Sequence, residues 1–241
     1  MTNNSDSHNG LDQEVMTLTD IARYLKVSEK TILRMVKKGE LPASKVSNQW
    51  RFQRVSIEQW LTAKMESAPD DNLVSVIRTT PKIIPLAQLI SQDRILMDIK
   101  PADKKSIIKQ LIEPLKSADL LDDPQAFLQD LLDREDMGST AIGYGVAIPH
   151  VHEQENSGVR QTCVVLGICR DGVDFDAMDG EPTYIFMLLC GNSVTVHIRL
   201  LAKTMLLLRN PGTVEALRNC NTKDQVLEIL RQADFNLAIR F

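Results

Sequence analysis

The sequence predicts two domains of different class: a small, mainly α-helical unit of the winged helix-turn-helix type, then a larger α/β domain in which a mixed sheet is flanked by helices. Three observations predict it. Up to about residue 65 apolar residues recur at helical spacing in short, turn-separated pieces, whereas from Leu86 amphipathic helical stretches alternate with apolar runs of strand length. Charge divides at the same place: residues 1–65 carry 10 Lys and Arg against 7 Asp and Glu, and the remainder 18 against 25, within an overall charge of −4. Between them, "ESAPDDNLVSVIRTTPKIIP" (66–85) has three prolines, two adjacent aspartates and no helical period, and reads as a linker.

At 241 residues, 43% hydrophobic and 25% charged, the chain has the composition of an ordinary globular protein able to bury two cores. Residues 1–15 are polar, lack the apolar stretch of a signal peptide and read as a disordered tail. No run approaches the roughly 18 apolar residues of a spanning helix; "YIFMLLC" (184–190) reads as a buried strand. Cys163, Cys169, Cys190 and Cys220 are widely spaced on apolar segments, as expected of reduced core thiols in a cytoplasmic protein.

In the first unit, Thr19 can cap a short helix bearing Ile21, Ala22 and Leu25, and Ser28 a second helix that ends at Gly39. On that second helix Ile32, Met35 and Val36 face inward, while Lys30, Arg34, Lys37 and Lys38 fall at i, i+4, i+7 and i+8 as one basic stripe. "LPASKVSNQWRFQ" has the form of a two-stranded ribbon turning at Ser47-Asn48, with Lys45 and Arg51 beside the turn, and Ser56 can cap a closing helix. Trp50 and Trp60 are expected in its core. A helix for the major groove, a basic flank for phosphates and a second anchor are what DNA recognition requires.

These residues resemble the excisionase-type, MerR-related DNA-binding domain. The likeness is carried by Leu18-Thr19, Leu25, Val27-Ser28, Thr31-Ile32, Arg34, Gly39, Leu41-Pro42, Trp50-Arg51-Phe52 and Trp60-Leu61. It implies that Thr31 and Arg34 lie in a recognition helix and Arg51 near the wing. Lys30, Thr31, Arg34, Lys37, Lys38 and Arg51 are the expected DNA contacts.

In the second unit the spacing predicts helices over 86–91, 102–117, 123–135, 194–209, 213–219 and 222–232, and strands over 94–99, 145–148, 161–169 and 183–190. Its most informative stretch is "GSTAIGYGVAIPHVH" (138–152). Glycines at 138, 143 and 145 permit tight turns, "VAI" suits a buried strand, and Pro149 fixes the backbone before His150. Several chemistries suit a histidine so placed. His150 and His152, with Glu153 or His197, could chelate zinc. A nucleotide loop is disfavoured, because no GKS or GKT follows and a strand rather than a helix comes next. A structural histidine is the default for any single residue. An imidazole is also a competent nucleophile towards phosphorus near neutral pH, and Arg134, Ser139 and Thr140 are close enough in sequence to receive phosphoryl oxygens.

"REDMGSTAIGYGVAIPH" resembles the active-site signature of enzyme IIA components of the phosphoenolpyruvate-dependent phosphotransferase system, in the fructose/mannitol and nitrogen-regulatory class. The likeness continues through "GVDFDAMDGEPTYIFMLL" and "VHIRLLAKTMLLLRNP" and covers about 86–235. It implies that His150 accepts a phosphoryl group from a histidine-containing phosphocarrier protein. By the same likeness Arg134 neutralises phosphoryl charge, His197 is a second active-site histidine, and Ser139 and Thr140 line the pocket. His152 departs from the pattern and has no counterpart.

The chain is therefore expected to have a winged helix-turn-helix at 16–65, a linker at 66–85 and an enzyme IIA-like domain at 86–241. Neither metal nor cofactor is called for. The expected partners are the phosphocarrier, DNA and other regulated proteins, with no membrane; pairing of two chains would suit a palindromic DNA site, although no coiled-coil heptads are visible. The expected function is a DNA-binding regulator whose phosphorylation state on His150 sets regulation. The alternative is a phosphoryl-transfer component whose first domain only localises it.

Overall fold

The structure, a computed structural model, describes residues 15–67, 85–151 and 157–240. The polar start, most of the expected linker, and His152 with Glu153 lie outside the described residues. The chain divides into two compact units, Met1–Ser67 and Ala68–Phe241.

In the first unit a short strand β1 (Val15–Met16) leads into helices α1 (Leu18–Tyr24) and α2 (Glu29–Lys37). Strands β2 (Ser44–Val46) and β3 (Gln49–Gln53) and helix α3 (Arg54–Ser67) follow. The cap of α1 is Thr17, not Thr19. Thr17 and Asp20 exchange hydrogen bonds, the Thr17 hydroxyl accepting from Asp20 N and the Asp20 carboxylate from Thr17 N at 3.0 Å. This reciprocal box satisfies two orphan donors at once, an advantage Thr19 lacks. Thr19 instead lies inside α1 and donates to Glu29 at 2.7 Å, tying α1 to α2. Ser28 caps α2 as expected, accepting from Thr31 N, and Gly39 follows its end at φ +70°, where a Cβ would be strained.

β2 and β3 pair antiparallel, Val46 opposite Gln49. Ser47 and Asn48 both have positive φ, 46° and 65°, the two-residue turn whose twist matches a hairpin. β1 adds to the other edge of β3. Val15, where a tail was expected, is thus already paired, with Gln53. Ile21, Ile32, Leu41, Phe52 and Ile57 form the core, with Trp50 and Trp60 packed on it. α3 begins two residues before the expected cap, because β3 runs straight into it; Ser56 is inside the helix and donates to Gln53.

The second unit begins with α4 (Leu86–Leu89), a 3-10 turn (Gln92–Arg94) and β4 (Ile95–Leu96). Helices α5 (Lys104–Ser117) and α6 (Pro124–Asp136) come next, then β5 (Ala141–Gly143), β6 (Val146–Ala147), β7 (Cys163–Val173) and β8 (Thr183–Cys190). Helices α7 (Val194–Leu208), α8 (Pro211–Asn219) and α9 (Lys223–Arg240) complete it. The sheet order is β4-β7-β8-β6-β5, parallel at β4–β7 and β6–β8 and antiparallel at β7–β8 and β5–β6. This is the mixed sheet the sequence predicts. Helices cover both faces, so β8 is a nearly continuous buried run without polar alternation. Ile107, Leu111, Phe127 and Leu131 of α5 and α6 pack with Val165, Phe186 and Leu188, while α7 and α8 contact β8.

Several elements differ from expectation, β7 among them, which runs on to Val173. β5 occupies part of what reads as a glycine turn, and β4 keeps only two of six predicted residues. α9 runs on to Arg240, since nothing after 232 breaks a helix even though its exposed face there carries Phe235 and Ile239.

Candidate functional site

β6 lies beside β8 in parallel, Ala147 opposite Phe186. Beyond its last residue the chain stays alongside β8: Pro149 O accepts from Leu189 N at 3.0 Å, and His150 makes an isolated parallel bridge with Leu189. His150 is thereby fixed at a strand end and is 4% exposed. Its Nδ1 lies 2.8 Å from the carbonyl oxygen of Ile148. A carbonyl can only accept, so Nδ1 carries a proton and, in the neutral ring, the lone pair is on Nε2.

His197 is 6% exposed in the first turns of α7, with its backbone N–H bonded to Ser193 O at 2.9 Å. Ser193 caps that helix. The two imidazoles meet with ring centroids 4.7 Å apart and planes inclined by 41°. The pair stands at the N-terminal end of a 15-residue helix, where exposed N–H groups and the helix dipole favour negative charge.

The loop before β5 is held from α6. Arg134 is buried and donates to Gly138 O at 2.9 Å. Glu135, also buried, accepts from Thr140 Oγ1 at 2.6 Å and from Thr140 N at 3.1 Å, and pairs with Lys104 Nζ at 3.1 Å. Lys104 reaches Asp176 at 2.7 Å and lies over the Phe175 ring. Burial alone would lower its pKa, yet hydrogen bonds to Asp176 and Glu135 outweigh it, so the ammonium is held above the usual lysine range. Ser139 donates to Phe175 O and accepts from Ala141 N. Thr140 O accepts from Ile148 N at 3.0 Å, which joins this loop to the strand carrying His150.

At the hairpin tip Gly143, Tyr144 and Gly145 all have positive φ. A Cβ at Gly143 would stand 2.7 Å from Asp179 Oδ2, the carboxylate that accepts from Tyr144 N. The signature glycine there keeps a carboxylate in reach of the turn.

Of the expected phosphoryl residues, the structure brings His150 and His197 into direct contact. Ser139 and Thr140 lie in the adjoining loop that Arg134 holds from α6, and both hydroxyls are committed, Ser139 to Phe175 O and Thr140 to Glu135. Glu135 and Lys104 were missed. A signal for Glu135 existed: with Phe127 and Leu131 it repeats at i, i+4 and i+8 on the buried stripe of α6.

In the first unit Lys30, Arg34, Lys37 and Lys38 are exposed along α2, as the spacing requires. Thr31 is half-buried with its hydroxyl 2.9 Å from that of Ser28, so it serves the helix cap. Arg51 donates to Trp50 O at 3.0 Å and to Gln49 at 2.6 Å, which holds it along the ribbon. Among the described residues no group of three or more His, Cys, Asp or Glu is placed to hold a metal, and no helix is long and apolar enough to cross a membrane.

Residues 88–233 match the family described as phosphoenolpyruvate-dependent sugar phosphotransferase system, EIIA 2, and residues 15–65 match a helix-turn-helix domain. The chain is 27% identical over 151 residues to the fructose-specific EIIABC component of Bacillus subtilis, a match covering 62% of this chain and only 23% of that protein. It is 30% identical over 150 residues to a nitrogen regulatory protein of Bradyrhizobium diazoefficiens, covering 61% of this chain and 95% of the relative. The solved nitrogen regulatory protein IIA-Ntr of Neisseria meningitidis superposes with a TM-score of 0.54 at 27% identity, covering 60% of this chain and 97% of that one. With its two-histidine site inside the matched residues, the chain belongs to the EIIA 2 family of the sugar phosphotransferase system and carries a helix-turn-helix domain ahead of it.

Proposed function

We propose that this protein is a DNA-binding regulator whose second unit accepts a phosphoryl group on His150 from a histidine phosphocarrier. The observation that carries the reading is the His150 ring itself, with Nδ1 bound to Ile148 O and Nε2 bearing the lone pair beside His197. Nε2 forms the new P–N bond as the bond to the carrier's histidine breaks. The Ile148 carbonyl stabilises the positive charge that develops on the ring. His197 and the start of α7 face the transferred oxygens, Arg134 offsets their charge, and Ser139 and Thr140 act mainly by fixing the loop.

Phosphorylation adds about two negative charges to an already acidic unit and so alters DNA occupancy by the module at 15–65, across a linker at 66–85. Lys30, Arg34, Lys37 and Lys38 meet DNA, with Arg51 on the wing, in an excisionase-like mode. The protein acts in the cytoplasm, where phosphocarrier and DNA are both present. Incubation with phosphoenolpyruvate, enzyme I and phosphocarrier should give an acid-labile label that His150→Ala abolishes. The phosphorylated and unphosphorylated chains should then differ in affinity for DNA from its own upstream region; equal affinity would sink the regulatory half of the reading.

The match along 95% of a nitrogen regulatory protein favours a second reading, in which the phosphorylation state controls partner proteins and the first unit only localises the chain. Labelling at His150 with no binding to any DNA fragment tested would select it.

A further inference from the structure

Two of the four cysteines, Cys169 and Cys220, face no other thiol, but the remaining pair is arranged for chemistry that the phosphoryl site does not use. Cys163 opens β7, Cys190 closes β8, and they stand directly opposite one another as the terminal pair of that antiparallel ladder. Residues paired in this way have Cα atoms about 4.5–5.5 Å apart with side chains on one face, inside the span a disulfide bridges. Both are fully buried within the same core cluster. They are nonetheless at the end of the sheet, next to exposed Arg160, Gln161 and Asn192, so fraying of a single rung exposes them. A third group points the same way: Arg94 acts electrostatically on both sulfurs, and its Nε is buried without a hydrogen-bond acceptor among the described residues.

We propose that Cys163 and Cys190 form a peroxide-sensitive dithiol that closes reversibly to an intrachain disulfide. The thiolate of Cys163 attacks one oxygen of a hydroperoxide, the O–O bond breaks, and the sulfur becomes a sulfenic acid as hydroxide or alkoxide leaves. The Cys190 sulfur, losing its proton, then attacks the Cys163 sulfur, and the hydroxyl departs as water. Two electrons pass from the two sulfurs to the peroxide, and an external dithiol returns them by exchange.

The division of labour follows from the surroundings. Hydrogen bonding to Cys190 and the nearby Arg94 hold the Cys163 thiol below its ordinary range against the opposing pull of burial, whereas Cys190 is pushed well up by the same bond and by burial. Burial also raises Cys169 and Cys220, and Cys220 is further engaged with Leu217 O at 3.0 Å. Only Cys163 is biased towards thiolate, and the thiol facing it is that of Cys190. The inference does not depend on phosphorylation of His150.

The test is thiol counting on the full-length native chain treated with hydrogen peroxide, followed by denaturation, alkylation and peptide mass mapping. Titratable thiols should fall from four to two, with a single linked peptide pair joining Cys163 to Cys190, restored to four by dithiothreitol. A Cys169→Ser, Cys220→Ser chain, which keeps only the facing pair, should react at the same rate. Arg94→Gln should slow the reaction roughly tenfold by removing the charge that favours the thiolate. Retention of all four thiols under conditions that oxidise the denatured chain would overturn the proposal. So would first reaction at Cys169 or Cys220, or products linked only between chains.

Discussion

The two units place their working groups in opposite ways. In the second, His150, His197, Arg134 and Glu135 are all at most 6% exposed and each is fixed by backbone or side-chain bonds before any partner arrives. In the first, Lys30, Arg34 and Lys37 on a nine-residue helix, and Lys38 at its C-cap, stand in solvent, while the other face supplies Ile32 to the buried core. Group transfer needs a nucleophile in one tautomer and a charge-tolerant pocket, which burial provides. Reading a polyanion needs accessible charge and a rigid backbone, which burial would spoil. Mutations should therefore act on chemistry and stability in one unit, and on electrostatics alone in the other.

The largest effect expected is at His150. His150→Ala should abolish phosphoryl labelling outright, while His197→Ala should slow it by about 10²-fold or more through lost stabilisation of the transferred oxygens. Rapid-quench labelling measures both, and near-normal transfer in the His197 variant would break the claim that the ring pair works as one site. Next is Glu135→Ala, which leaves two Thr140 donors without their acceptor and Lys104 with Asp176 alone, and should cost about 2–4 kcal/mol in urea unfolding. Lys30→Ala on the exposed stripe should change stability by less than about 0.5 kcal/mol. Equal costs would erase the contrast.

Thr17→Ala removes the capping box of α1 and should cost about 1 kcal/mol in the first unit. The same box gives a pH signature. The Thr17 hydrogen bonds hold the Asp20 carboxyl below its usual range. Its stabilisation is thus present above the unfolded pKa of about 4 and is lost as pH falls through the lower folded value. Asp20→Asn should flatten that part of an acid unfolding curve. Smallest in free energy, but most diagnostic of mode, Arg34→Ala and Lys37→Ala should each reduce the salt slope of DNA binding by about one while leaving the fold intact.

How much of this could be read beforehand follows the same division. Periodicity reveals α2 and its basic stripe because Ile32, Met35 and Val36 fall on one helix face and the Lys and Arg residues on the other. The paired positive-φ residues Ser47 and Asn48 likewise announce their turn. β8 is legible as an unbroken apolar run. Thr17 and Thr19 both precede the same apolar face, and only the reciprocal bond to Asp20 decides for Thr17 as the cap. β5 is hidden among glycines and takes its strand form from pairing with β6, a tertiary effect absent from local propensity. His150 stands out by its glycine and proline frame. As a partner of His150 in a phosphoryl site His197 enters through family likeness, since nothing local to α7 announces that its ring will meet another 4.7 Å away. Glu135 was hidden by its charge, which reads as surface until the stripe of Phe127 and Leu131 is followed one turn further.

The parallel pairing of β6 with β8 has a consequence for how this site can change over time. His150 stands just past the carboxyl end of β6, and His197 follows just after the carboxyl end of β8. Open α/β sheets gather ligands in the crevice beyond such ends, where the chain leaves the hydrogen-bonded ladder and side chains no longer fill the core. Substitutions there can alter the two-histidine site without disturbing strand register, so the scaffold is free to diverge at that end while its sheet stays constant.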